Sequence, residues 1–177
     1  MLAPDRSPRT FASPGEALGD LLGVARRAQP LVGTYARGYI DPALRERVMV
    51  AVSRVNACRG CTFVHERWAD RAGVSAEDLK AIGLGDLGDL DARDRAAVAY
   101  AAALAEARFR SPVDPALTAT AGEHLTPREL AAVEAVARAM AVANLTVSTT
   151  EELLDRCPVR TRKRRSRRAS RRPSTTR

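Results

Sequence analysis

Cys58-Arg59-Gly60-Cys61-Thr62-Phe63-Val64-His65 places two thiols and an imidazole at spacings of three and four residues. At about 100° per residue their side chains fall within about 60° of one another on a helix, so one helical face can carry a dithiol and its base. The chain has three cysteines and two histidines, and three of these five groups sit in this octapeptide. Cys61 and His65 are neighbours on a helix, where the imidazole can take the thiol proton. Cys58 and Cys61 meet a geometric conflict, because residues three apart in a regular helix hold their Cβ atoms about 5–6 Å apart. A disulfide needs roughly 3.5–4.5 Å. A first-turn position is free to adjust and reconciles the two, with Asn56 read as the N-cap. A helix start also favours thiolate through its unpaired N–H groups and dipole. The spacing therefore predicts a low-pKa thiol with a resolving partner beside it.

Glu46 lies 12 residues before Cys58. On one unbroken helix it would stand about 18 Å away. A turn at Val55-Asn56-Ala57 lets two helices lie side by side, and Glu46 can then accept protons and orient His65. The bland alternative is that Arg45-Glu46-Arg47 is a solvated helix face. Zinc is a rival for the same groups, since Cys58, Cys61 and His65 are acceptable ligands. A structural zinc takes a fourth, and neither His124 nor Cys157 has finger-like spacing. A further alternative makes the cysteines inert core residues. His124 is read as a surface or capping residue.

The elements that must position these groups are marked by their starts. Ser13-Pro14-Gly15-Glu16 and Thr126-Pro127-Arg128-Glu129 are capping boxes with proline at the first helical position. Asp41-Pro42 and Asp114-Pro115 are weaker versions, and Ser75-Ala76-Glu77-Asp78 opens a helix without proline. Helical periodicity then predicts helices near 14–28, 42–55, 58–72, 75–83, 91–109, 114–122 and 126–154. No stretch alternates as a strand does, so the fold class is all-α. Ala96 to Ala105 and Leu130 to Leu145 are apolar nearly all round, the second broken only by Glu134, Arg138 and Asn144. A helix apolar on every side must be covered on every side. This predicts packing against symmetry mates in a homo-oligomer, the alternative being a central helix in a monomeric bundle.

At 177 residues the chain suits one domain that needs no disulfide staples. The N-terminus has no signal-like apolar region, and no segment is read as a membrane span. A cytoplasmic protein with no membrane partner is expected. The formal charge of +8 is unevenly spread. Residues 156–177 hold 11 Lys+Arg and no acids, leaving 18 basic against 21 acidic residues, net −3, for the rest. The chain is thus divided into a flexible N-terminus (1–12), a helical domain (13–155) and a disordered Arg-rich tail (156–177). Arg162, Lys163, Arg164, Arg165, Arg167 and Arg168 could bind nucleic acid non-specifically through phosphates, although no aromatic residue is present to stack bases. The plainer reading is a solubilising extension.

Glu46, the Cys58-x-x-Cys61 pair and His65, with Arg45-Glu46 and the run Val50-Ala51-Val52-Ser53-Arg54-Val55-Asn56 before the cysteines, resemble the motif of the AhpD-like alkylhydroperoxidases. These form part of the carboxymuconolactone decarboxylase superfamily. The likeness extends more loosely over about residues 15 to 155, through Asp94-Arg95-Ala96-Ala97-Val98-Ala99-Tyr100 and the helix ending at Asn144-Leu145. It implies an AhpD-like helical subunit in a trimer or hexamer that reduces organic hydroperoxides with no metal or haem cofactor. By similarity, Cys61 attacks the peroxide, Cys58 resolves the sulfenic acid, Glu46 and His65 relay protons, and a dithiol donor of lipoamide or thioredoxin type restores the enzyme. Gly60 departs from the family, which commonly has a histidine or aromatic residue there. The decarboxylation that names the superfamily, a lyase reaction, is the alternative on the same fold. It has no use for a redox dithiol.

Overall fold

The computed structural model describes residues 7–156. Every regular element among them is a helix: α1 (Pro14–Ala25), α2 (Ala28–Arg37), α3 (Pro42–Val55), α4 (Arg59–Arg71), α5 (Ala76–Leu84), α6 (Ala92–Glu106), α7 (Pro115–His124) and α8 (Pro127–Arg156). The all-α expectation holds for them.

The helix starts follow the capping residues. Ser13 Oγ accepts from the Glu16 N–H (3.2 Å), Asp41 Oδ1 from Leu44 (2.8 Å) and Ser75 Oγ from Asp78 (3.0 Å). At α8 the box closes both ways: the Glu129 N–H donates to Thr126 Oγ1 (3.3 Å), and Glu129 Oε2 accepts from the Thr126 N–H (2.8 Å).

Three boundaries differ from expectation. α1 stops at Ala25, and α2, absent from the sequence reading, occupies 28–37. Pro30 sits in the first turn of α2, where its missing N–H is no loss. Gly38 (φ 65) ends that helix, and the chain doubles back so that the Tyr39 ring fills the space where a Cβ on Gly33 would be. α6 ends at Glu106 rather than near 109, because Arg108 (φ 52) and Phe109 (φ 55) take left-handed backbone.

α3 and α8 form the centre. α3 packs against α4, α5, α6 and α8, whereas α8 packs against α1, α2, α3, α6 and α7. Their interface with α6 is built from Leu44, Val48, Val52, Ala97, Ala101, Leu104, Val133, Val136 and Met140, in which small alanines let helices approach closely. Much of the covering assigned to symmetry mates therefore comes from the same chain, which weakens that ground for an oligomer. By length and composition α8 could also cross a membrane, contrary to the expectation that no segment qualifies. Part of its apolar surface is instead packed against five neighbouring helices, while Val147, Leu153 and Leu154 are exposed.

Arg47 joins the starts of these elements by bridging Asp78 (2.6 Å) and Asp94 (2.8 Å), and Arg93 reaches Asp41 (3.2 Å) and Glu129 (2.6 Å). Residues 9–11, assigned by sequence to the flexible N-terminus, are hydrogen-bonded to the body. The Arg9 N–H donates to Asn56 O and the Phe11 N–H to Thr149 Oγ1, both at 3.0 Å. Cys157 and the tail arginines and lysine named above lie outside the described residues.

Candidate active site

The turn from α3 to α4 decides where the thiols stand. At the end of α3 the Ala57 N–H donates to Arg54 O (3.1 Å) and the Cys58 N–H to Ser53 O (3.0 Å). This is the two-bond helix stop that usually requires glycine at the left-handed position. Here Ala57 holds it at φ 54, at a cost of about 1 kcal/mol for a residue with a Cβ. The Arg9 N–H caps the same turn from outside through the Asn56 carbonyl.

Cys58 itself, not Asn56, is the N-cap of α4, with extended backbone (φ −81, ψ 91). Asn56 caps the end of α3 and is buried. The extended cap resolves the conflict that a regular helix posed. The Cα atoms of Cys58 and Cys61 stand 5.3 Å apart, within disulfide range, and the two cysteines are joined. Cys58 is 3% exposed, but Cys61 remains partly exposed. The accessible sulfur is thus the one in the first turn of α4, four residues before His65.

Glu46 reaches this place because α3 and α4 lie side by side. It is 3% exposed, so the solvated-face reading of Arg45-Glu46-Arg47 does not hold. Glu46 Oε2 lies 2.8 Å from His65 Nδ1, and its other oxygen accepts from Arg45 Nε at 3.2 Å. With Nδ1–H directed at the carboxylate, the imidazole presents Nε2 as its free basic nitrogen. The Trp68 ring meets His65 edge-on at 5.0 Å and limits its rotation from the other side.

Arg45, Tyr35 and Trp68 were not anticipated as parts of the site. Arg45 lies over the Tyr35 ring at 4.8 Å while holding Glu46, so α2 braces the carboxylate through a stacked guanidinium. Burial, together with the Glu46 charge and against that of Arg45, pushes the Tyr35 hydroxyl above its ordinary value and keeps it protonated. Trp68, three residues beyond His65, was within reach of sequence reasoning. The Tyr35–Arg45 contact crosses a turn between helices and has no local signal.

The zinc alternative finds a different arrangement. The two sulfurs are bonded to each other, His65 Nδ1 faces Glu46, and no set of three His, Cys, Asp or Glu residues suited to a metal occurs among the described residues. His124 is exposed at the end of α7.

Residues 31–86 match the Carboxymuconolactone decarboxylase family. The matched segment runs from α2 to just past α5 and contains Glu46, Cys58, Cys61 and His65, which bears out the family resemblance drawn from the sequence. Carboxymuconolactone decarboxylase family proteins include decarboxylases and AhpD-like peroxidases, so the match supports an enzyme at that coarse level. No curated protein matches the chain closely enough to serve as a relative.

Proposed function

We propose that the chain is a thiol-dependent peroxidase that reduces organic hydroperoxides. The observation that carries this reading is a dithiol pair at the start of α4 whose accessible member, Cys61, shares its helix with a histidine held by a buried carboxylate.

In the reduced protein His65 Nε2 takes the Cys61 proton. The thiolate attacks the outer peroxide oxygen, the O–O bond breaks, and the alkoxide leaves as an alcohol with the proton from His65. Cys61 is then a sulfenic acid. The Cys58 thiol displaces its hydroxyl, water leaves, and the disulfide forms. Two electrons and two protons from a lipoamide- or thioredoxin-type dithiol return both cysteines to thiols. Glu46 and Arg45 do not touch the substrate; Glu46 fixes the imidazole tautomer and Arg45 holds the carboxylate in place. Gly60 has open space around the position of a Cβ. Lyase chemistry of the decarboxylase type gives the dithiol no part, and the redox reading is preferred for that reason.

A cytoplasmic homo-oligomer, trimer or hexamer, belongs to the same proposal. Its support is the exposed apolar surface of Leu18, Leu21 and Leu22 on α1 and Val32 on α2.

The test is steady-state consumption of cumene hydroperoxide by the full chain with dihydrolipoamide or reduced thioredoxin as donor. One donor dithiol is expected to be oxidised per hydroperoxide reduced, with turnover abolished in Cys61→Ser. Consumption no faster than the uncatalysed rate with either donor would defeat the proposal.

A further inference from the structure

Arg138 stands in the apolar run of α8 without a direct ion pair among the described residues. Of the three residues that interrupt that run, Asn144 meets Ser53 and Glu134 pairs with Arg27 (2.6 Å). Arg138 makes no hydrogen bond or ion pair with any described residue, and its Nε is buried without a partner. Burial and the nearby Arg27 charge act against its protonated form and outweigh the opposing pull of the Glu134 and Asp20 carboxylates, neither of which forms an ion pair with it. A guanidinium stays charged regardless, and this one has donors with no acceptor in contact among the described residues.

The surroundings hold that guanidinium in place. It lies over the Phe109 ring at 4.5 Å, and it fits against Gly23, where a Cβ would stand 2.9 Å from Nη1. Phe109 reaches it from left-handed backbone directly after another left-handed residue, Arg108. Two such side-chain-bearing residues cost about 1–2 kcal/mol each, and backbone outliers of this kind are found where a functional geometry is maintained. The guanidinium opens onto a cavity of about 510 Å³ floored by the glycine face of α1. The carboxylates there are already matched: Glu16 by Arg108 (3.3 Å) and Arg110 (2.7 Å), and Asp20 by Arg110 (3.2 Å).

We propose that this cavity binds the oxyanion group, carboxylate or phosphate, of a small molecule, with the Arg138 fork as its main contact. The anion supplies the acceptor that Arg138 lacks, in the two-bond geometry that guanidinium favours, and the glycine face allows close approach. Every residue of the site lies outside the segment matched to the decarboxylase family, so this inference stands apart from the dithiol chemistry.

Calorimetric titration of the full chain with inorganic phosphate and with succinate, against chloride at matched ionic strength, tests it. Saturable one-site binding of either oxyanion is expected, and the tighter arm identifies the group. Arg138→Gln should weaken it at least about tenfold, and Arg138→Lys, which keeps the charge but loses the fork, by less. Circular dichroism checks folding; if Arg138→Gln fails to fold, Arg138→Lys decides, with affinity equal to wild type counting against the site. Absence of saturable binding by both oxyanions, or unchanged affinity in Arg138→Gln, would overturn the proposal.

Discussion

Glu46 Oε2 and His65 Nδ1 stand 2.8 Å apart across the α3–α4 interface, both groups buried and 19 residues apart in the chain. The contact exists because the helix stop at Asn56 and Ala57 reverses the chain. It directs Nδ1 of His65 at the carboxylate, and the proposed reaction uses the other ring nitrogen.

Glu46→Gln keeps the size of the side chain and removes its charge. Loss of the tautomer control should lower kcat/KM for hydroperoxide about a hundredfold, the usual scale of a positioned acid–base group. Folding, followed by thermal melting, should survive. Peroxide kinetics within about twofold of wild type would show that the pair is structural only.

Gly33→Ala places a methyl group inside the space of the Tyr39 ring. Tyr39 is held there by Arg37 Nη1 at its hydroxyl (3.2 Å) and by Arg128 over its ring (5.2 Å). Overpacking of this kind costs about 1–3 kcal/mol, which should lower Tm by several degrees. In a Tyr39→Ala background the same change should be neutral or stabilising, since alanine favours helix over glycine by about 1 kcal/mol. An equal loss in both backgrounds would contradict the packing described.

Arg93 links stability to acid pH. Burial pushes the Asp41 and Glu129 carboxyls up, but hydrogen bonds from Arg93, with Leu44 at Asp41 and Thr126 at Glu129, bring both below their ordinary values. Such groups stabilise the fold above their unfolded pKa, near 4, and the benefit is lost as pH falls through the lower folded values. Arg93→Gln should therefore cost about 1 kcal/mol at pH 7, modest because the pairs are partly solvated. Its stability should also fall less steeply than that of wild type as pH drops below about 5. Parallel acid profiles in urea denaturation would refute this.

Local chemistry explains what the sequence made legible. Ser13, Asp41, Ser75 and Thr126 cap helices by reaching backbone within three residues, so their starts could be read without knowing the fold. The dithiol and His65 share one helix and were equally readable. α2 escaped because Pro30 and Gly33 look like breakers, while its stability comes from packing on α8 and on Tyr39, which periodicity does not reveal. Glu46 between two arginines left a solvated face open as the alternative for a similar reason: whether a helix is covered on every side is a property of its neighbours. The same ignorance of neighbours turned the apolar α6 and α8 into an argument for symmetry mates.

The most direct measurement of the central claim is a count of thiols before and after one equivalent of an organic hydroperoxide, without a donor. The reduced chain has three cysteines, and formation of the Cys58–Cys61 bond should remove two thiols from wild type. In Cys61→Ser none should be lost. Equal consumption of thiols in the two proteins, or none in wild type, would contradict Cys61 as the attacking sulfur and the dithiol as the site of reduction.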